Sequence, residues 1–461
     1  VASGRPLYGL GEIAEVVEML RYRSLDVRSV TLSLDSRACG AGGPGDVASC
    51  VEALVAEHGR RLREAVDAVS GELGVPVTTV RVALSPGELL VAHLPGDRAA
   101  EALVEAARAA DRAAAAAGVD YVGGWGGFGE RGVSGPAAAV LEALPAVLSE
   151  TRRVMGFFNA GSTVLGVSID AVRASVEALL SAVEAAGGPL PGARFLVTVN
   201  VGPDIPFLPA AHHGLGEPDA VVNVAISGPK VVAEALRRLP GGLGAEKLAY
   251  ELKRIGFKVA RLGQLVAEKV SEATGYGLGS VDLSLAPTPE PGDSIAAVLE
   301  AMGVEAGAPG SVAALALLVD SLKKGGAMAV CCAGGYSGAM IPVMEDSGLA
   351  EAAARGLLTI YKLLAMTSVC STGVDMVPVP GDTPWWKLAG IVLDTLAIGA
   401  VQGKTLGARL VPVPGARPGD VVELGGLLGR AVVMDPGPGS GEALLRRGGF
   451  IPAPLRSLLR G

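Results

Sequence analysis

From about Val27 onward the chain alternates short apolar runs with longer segments whose apolar residues recur at helical spacing. The short runs predict strands at Val27–Leu34, Val77–Leu84, Asp120–Gly123, Val154–Phe158, Phe195–Val201, Ala220–Ile226, Val281–Leu285, Ala327–Cys332 and Val374–Val379. Helical periodicity fills most of the intervals. It is clearest at Val47–Glu72, Arg98–Ala117, Pro136–Ser149, Ile169–Ala186, Lys230–Leu239, Ala245–Ala273, Ser294–Met302, Val312–Lys324 and Pro384–Val401, with Gly or Pro at the borders. Strand and helix in alternation is the order of βα units around a largely parallel sheet, and nine such strands suit a barrel better than an open sheet. The Gly- and Pro-dense stretches are short enough to be loops, so residues 27–461 read as a single domain behind an N-terminal extension, 1–26. Beyond Arg409, the segments Leu410–Pro414, Asp420–Leu424 and Ala431–Met434 read as short strands wrapping back onto the body.

Half of the residues are hydrophobic, yet the apolar stretches are interrupted by charge: Lys387 and Asp394 within Trp385–Val401, and Asp320, Lys323 and Lys324 after Ser311. No membrane-spanning helix fits, and the first residues lack a charged-then-apolar signal pattern, so the expectation is a cytoplasmic protein. The net charge is −8 and Lys and Arg are scattered, which leaves no nucleic-acid footprint and favours a small metabolite as ligand. Five cysteines without CxxC pairs predict neither a disulfide framework nor a zinc site, and a reducing compartment. The only Asn residues are Asn159, Asn200 and Asn223, and the only Gln residues Gln264 and Gln402, a depletion that fits either life at high temperature or GC-rich coding.

These rare amides mark the candidate chemistry. The stretch 199–229 holds His212 and His213 in a Gly/Pro loop, followed by Glu217 and Asp219 and flanked by Asn200 and Asn223. Loops at strand ends carry function in α/β folds. His213, Glu217 and Asp219 offer imidazole and carboxylate ligands for a divalent cation, or an acid–base pair; the plainer alternative is turn-forming Asn and Asp with a solvent-exposed His212. In "FFNAGST", Asn159, Ser162 and Thr163 leave a strand toward a helix, where backbone N–H groups can hold an anion, and "SGPK" (Ser227–Lys230) has the same character. No nucleotide-binding glycine motif is complete. Val281–Glu300 and Val374–Val392 echo each other, each with Val-Asp, a Pro-rich turn, Gly-Asp-Ser/Thr and a helix, which draws attention to Asp282 and Asp375 as acids on apolar strands that either face solvent or need a partner. Lys404 and Arg409 are cations able to meet an anionic ligand or those acids. Cys331 and Cys332 close an apolar run, and "RRGGFIPAP" matches the short pattern of a glycyl radical loop.

Taken together, "GVDYVGGWGGF", "FFNAGST", "HHGLGEPDAVVNVAISGP", "RIGFKVARLGQLV", "VDLSLAPTPEPGDS", "GGYSGAMIPVMED", "STGVDMVPVPGDTP", "ELGGLLGRAVVM" and "RRGGFIPAPLRS" resemble the PFL-like family, also known as domain of unknown function seven-eleven. The resemblance runs from about Val27 to the C-terminus. It implies a ten-stranded α/β barrel of two five-stranded parallel halves set antiparallel, as in pyruvate formate-lyase and ribonucleotide reductase, with a finger loop inside. It also implies a small ACT-domain protein as a partner, and no activity. The clustering of the three rare asparagines beside strand ends makes the expectation an enzyme, assembled as a homo-oligomer and acting on a small polar or anionic metabolite inside the barrel. His213, Glu217 and Asp375 are the expected catalytic groups, Asn159, Ser162, Thr163, Asn200, Asn223 and Asp282 the ligand-binding ones, and His213, Glu217 and Asp219 a divalent-cation set. The alternatives are a glycyl radical enzyme using Cys331 or Cys332 with Gly448 or Gly449, and a non-catalytic amino-acid sensor working with the ACT-domain partner.

Overall fold

The computed structural model describes Met19 and residues 25–455, so the N-terminal extension falls for the most part outside the described residues. The alternating pattern folds as β1 (Val27–Leu34), α1 (Pro44–Leu73), β2 (Val80–Leu84), α2 (Gly96–Ala117), β3 (Tyr121–Phe128), α3 (Gly135–Glu150), β4 (Val154–Ser162), β5 (Gly166–Ser168), α4 (Ile169–Ala186) and β6 (Phe195–Val199). It continues with β7 (Ala220–Ile226), α5 (Pro229–Arg237), α6 (Ala245–Thr274), β8 (Gly277–Asp282), α7 (Ile295–Ala301), α8 (Ser311–Gly326) and β9 (Ala333–Gly334). The remaining elements are α9 (Ser347–Ala354), α10 (Ile360–Thr367), β10 (Gly373–Pro380), α11 (Trp385–Gln402), β11 (Leu406–Val413), β12 (Val421–Glu423), β13 (Arg430–Val432) and β14 (Phe450–Ile451). Local signals explain the sharpest boundaries. The Ser168 hydroxyl accepts from Ala171 N at 3.1 Å to start α4, and Gly187, at φ 62°, ends it in a left-handed conformation that costs glycine nothing.

The main sheet runs in the order β10-β11-β6-β4-β3-β2-β1-β7-β8-β9. Strands β1, β2, β3, β4 and β6 are mutually parallel. β7 pairs antiparallel with β1 and leads the parallel set β7, β8 and β9, while β11 pairs antiparallel with β6 and parallel with β10. The result is a mixed α/β fold with a large, mostly parallel sheet. Continuous ladders do not close the expected ring: β9 is two residues long, and beyond it lie single bridges, Leu285 to Ala339 and Pro342 to Asp375. Parallel strands buried on both faces read as unbroken apolar runs, and β1, β2, β6 and β10 are buried at every position.

One face of the sheet carries the helices and the principal core, from Val30, Leu32, Val82 and Leu84 to Val259, Val266 and Leu396. Against the other lies the segment 202–214, which joins β6 to β7. Phe207 and Ile205 pack with Leu196, Ala225, Tyr336 and Met340, and Leu208 and Ala211 pack with Ala83 and Met155. Thr31 Oγ1 donates to Pro206 O at 2.6 Å, and His213 N to Leu84 O at 3.0 Å. The glycine-rich sequence of β3 makes room for this segment: a Cβ on Gly123 would sit 2.2 Å from Leu208 Cδ2 and 2.7 Å from Ala211 O.

Three expectations are corrected. The strand expected at Ala327–Cys332 is the end of α8 and a turn, because Gly325 and Gly326 stay helical; Gly325 lets α8 approach the α6 backbone, where a Cβ would be 2.1 Å from Lys253 O. Leu406–Val413 is a full sheet strand beside β6, so Arg409 lies within the sheet and not ahead of a trailing tail. Cys39 and Cys50 form a disulfide across a separation of 11 residues, since the turn after β1 folds back onto the first helical turns of α1. Among the described residues, no helix is long and apolar enough to cross a membrane.

Candidate functional site

Between the inner sheet face and the 202–214 segment lies a cavity of about 60 Å³ whose lining includes Arg28, Arg81, Glu345, Asp375 and Arg409. Five charged side chains around so small a space come from separate strands and loops. Arg28 lies at the register shift between Val27 and Ser29 in the β1–β7 ladder, and bulges of this kind redirect side chains. Arg81 follows on β2, Asp375 and Arg409 lie on the paired strands β10 and β11, and Glu345 sits just before α9. Met155, Leu196, Phe207 and Met340 supply apolar wall.

The charges are ordered by direct contacts. Arg409 Nε donates to Asp375 Oδ1 at 2.6 Å and its Nη2 to Asp375 Oδ2 at 3.1 Å, the fork geometry that makes Arg–carboxylate pairs strong. The same Nη2 lies 3.1 Å from Glu345 Oε1, and Glu345 Oε2 lies 3.6 Å from Arg28 Nη2. Arg81 Nε donates to Thr79 Oγ1 at 2.9 Å, and its guanidinium is 5.9 Å from the ring centres of Tyr121 and Phe207. Burial, with the neighbouring Arg28 charge, pulls Arg81 down to about 10, so it remains a cation at neutral pH. Burial, reinforced by the charge of Asp375, pushes the Tyr336 phenol far above its ordinary value and keeps it protonated. Two polar atoms of the lining are buried without a hydrogen-bond partner, Arg28 Nη1 and Thr372 Oγ1. Such orphans are rare in folded proteins and mark places where a ligand or water is wanted.

Of the residues expected from sequence as catalytic, ligand-binding or cationic groups, Asp375 and Arg409 line this chamber. The three asparagines are buried or half-buried, and their amides are engaged by the protein itself. Asn159 Nδ2 donates to Glu130 Oε1 and Gly161 O, while its Oδ1 accepts from Thr198 Oγ1 and Val201 N. Asn200 joins Thr163 to Gly399 and Lys404. Asn223 joins Ser33 on β1 to Ser280 on β8. Ser162 accepts from Leu165 N, closing a turn between β4 and β5 where sequence suggested a helix start, and the N–H of Lys230 at the start of α5 is taken by Asp293. Asp282 accepts from Ser284 N, Tyr336 N and Ser337 N at 2.7–3.0 Å, and burial still pushes its carboxyl up to about 6. It shapes the turn that delivers Tyr336 to the chamber.

The histidine loop is differently arranged from expectation. His212 is buried, not solvent-exposed: it stacks on Phe157 at 4.9 Å, and burial lowers its pKa. His213 Nε2 donates to Pro218 O at 2.9 Å, leaving Nδ1 buried without a partner, and Glu217 accepts from Gly214 N at 2.7 Å. Burial raises the Glu217 pKa. Asp219 is exposed, and among the described residues no three His, Cys, Asp or Glu side chains are grouped to hold a metal ion. His213, Glu217 and Asp219 are therefore not gathered as a cation site. Cys331 and Cys332 are exposed after α8, whereas Gly449, also exposed, donates to Asp170 at the start of α4. The cysteine and glycine of the radical alternative thus lie on different elements and do not face one another across the chamber.

Sequence reasoning missed Arg28 and Arg81. A signal was present: "VRSVTLSL" and "VRVAL" each place one Arg second in an otherwise charge-free strand, which demands a buried partner or ligand.

The family described as Uncharacterised ACR (DUF711) matches residues 18–425, a span that includes every charged residue of the chamber. A UPF0210 protein of Pyrobaculum islandicum is 48% identical over 98% of this chain and 99% of its own length. UPF0210 proteins of Methanopyrus kandleri (44% identical, 96% of this chain and 97% of the relative) and Methanocaldococcus jannaschii (41%, 97% and 98%) are also similar. The relatives come from thermophilic archaea and bacteria. With matched residues reaching from before β1 past β12, and relatives aligned nearly end to end, the chain belongs to the DUF711 (UPF0210) family.

Proposed function

We propose that the protein is an enzyme that binds a small anionic metabolite in the arginine-lined chamber, with the anion against Arg28 and Arg81. The observation that carries this reading is Arg28 Nη1, a buried guanidinium nitrogen without an acceptor. An unpaired buried charged donor costs about 1–3 kcal/mol or more, and a ligand oxygen removes that cost. Both Asp375 oxygens accept hydrogen bonds from Arg409, which makes Asp375 a positioning residue; Glu345, whose oxygens are ion-paired with Arg409 at 3.1 Å and Arg28 at 3.6 Å, is the group at the lining placed to move a proton. Tyr336, held protonated, is a neutral donor.

The same reading takes the sheet as a ring of two five-stranded parallel halves, kin to pyruvate formate-lyase and ribonucleotide reductase. Its support is the bridge between Pro342 and Asp375, with Val343 N donating to Asp375 O at 3.0 Å and Met344 N to Met376 O at 3.2 Å, which links the chain after β9 to β10. The 202–214 segment would then be the finger inside the ring.

The test is thermal stabilisation of the wild type, Arg28→Met and Arg81→Met by a panel of two- to four-carbon carboxylates and inorganic phosphate. The expected result is an anion that raises the wild-type melting temperature and leaves both variants unmoved. If none stabilises the wild type, or all three proteins respond alike, the chamber is not an anion site. With the ligand in hand, Glu345→Gln is expected to retain binding and lose turnover.

A further inference from the structure

The charges of the chamber do not cancel, and the remainder specifies the ligand. Arg28, Glu345, Arg409 and Asp375 form one chain of ion pairs, at 3.6, 3.1 and 2.6 Å, in which two cations meet two carboxylates. Arg81 stands outside it. Its Nε is satisfied by the Thr79 hydroxyl, and among the described residues no carboxylate lies within ion-pair distance of it; Glu345 and Asp120 act on it only from further away. The residue is nevertheless only 6% exposed. A buried cation without a counter-charge is among the costlier features a fold can carry. One negative charge is missing from the site.

Size and wall chemistry narrow the missing group. A volume of about 60 Å³ holds roughly four or five water-sized atoms. Met155, Leu196, Phe207 and Met340 offer nothing to a second charge, and Leu427 and Leu428, from the tip between β12 and β13, close another side with the same character. Arg28 and Arg81 both line the cavity, and guanidinium groups are suited to take the two oxygens of one planar carboxylate.

We infer that the ligand is a short monocarboxylate with an uncharged, largely apolar tail, selected over dicarboxylates and phosphate because the chamber lacks one charge and has room for no further one. The inference rests on the anion-chamber reading and adds the charge state and tail of the ligand to it.

Calorimetric titration of the full chain at neutral pH and low salt with propionate, malonate and inorganic phosphate tests it. Malonate differs from propionate by carrying a second carboxylate at the far end. Propionate is expected to bind, with malonate and phosphate about tenfold weaker or worse, Arg81→Met losing propionate binding and Arg81→Lys, which keeps the charge, retaining part of it. Malonate or phosphate binding more tightly than propionate, and still lost in Arg81→Met, would overturn the monocarboxylate inference while leaving the anion chamber standing. Propionate binding that is indifferent to both Arg81 variants, or absent along with that of malonate and phosphate, would remove the chamber reading itself. Unchanged far-ultraviolet circular dichroism of Arg81→Lys secures the comparison if Arg81→Met fails to fold.

Discussion

Asn200 looked like a ligand group from its rarity, and the structure makes it a clamp, so its replacement separates the two roles. It occupies the left-handed region at φ 55°. Its Oδ1 accepts from Thr163 N at 2.7 Å, and its Nδ2 donates to Thr163 Oγ1, Gly399 O and Lys404 O at 3.0–3.2 Å. Gly399 O also accepts from Gly403 N and Lys404 N, so it keeps partners without Asn200. Thr163 N–H and Lys404 C=O are the groups that lose most. Orphaning a buried donor costs about 1–3 kcal/mol and losing an ordinary hydrogen bond about 1 kcal/mol. Alanine adds about 1 kcal/mol of left-handed backbone strain that asparagine tolerates. Asn200→Ala is thus expected to destabilise by about 3–5 kcal/mol, and Asn200→Gly, which loses the same bonds without the strain, by about 1 kcal/mol less. Urea unfolding followed by circular dichroism reads both from the midpoints at equal slope. Anion binding in the chamber is expected to be unchanged in Asn200→Gly. If both variants match the wild type within about 0.5 kcal/mol, the clamp carries no stability; if Asn200→Gly abolishes anion binding without loss of stability, the ligand role is restored.

Three further outcomes are expected. Asp375→Asn leaves Arg409 buried with Glu345 alone and should destabilise by about 3–5 kcal/mol, whereas Asp375→Asn combined with Arg409→Met should be less destabilised than the single variant; strict additivity in thermal melts refutes the pairing. The Asp282 carboxyl is raised to about 6 in the fold from 3.8, so the native state binds its proton more tightly than the unfolded chain. Wild-type stability measured against Asp282→Asn should therefore fall as pH rises from about 4 to 6, by up to about 3 kcal/mol, and level off above; a difference that stays flat across that window is the contrary result. With Cys39 and Cys50 bonded, thiol titration of unreduced, denatured protein should find three free thiols, and five after reduction. Five before reduction would show that the bond does not form.

Local pattern already carried much of the architecture. Val27–Leu34, Ala220–Ile226 and Ile169–Ala186 begin and end where periodicity, capping serine and terminal glycine place them, because those signals act over a few residues. Asp375 and Arg409 were visible as polar residues in need of partners, although only the ladder between β10 and β11 makes them partners of each other. Their pairing is a property of register. Gly325 and Gly326 misled for a related reason: glycine is a weak local helix former, and the close α6–α8 crossing that requires it is a tertiary fact.

What sequence by itself determined is most of the strands and long helices and the scarcity of amides. Tertiary structure alone decided which polar side chains are spent on the fold and which remain over. Asn159, Asn200 and Asn223 are absorbed by backbone and side-chain groups from other strands and turns, whereas Arg28 and Arg81, each alone in an apolar strand, line one cavity with Glu345 and Arg409 from distant parts of the chain. The physical reason is that desolvation and charge pairing are summed over neighbours in space, and those neighbours are chosen by strand order and by the course of the 202–214 segment.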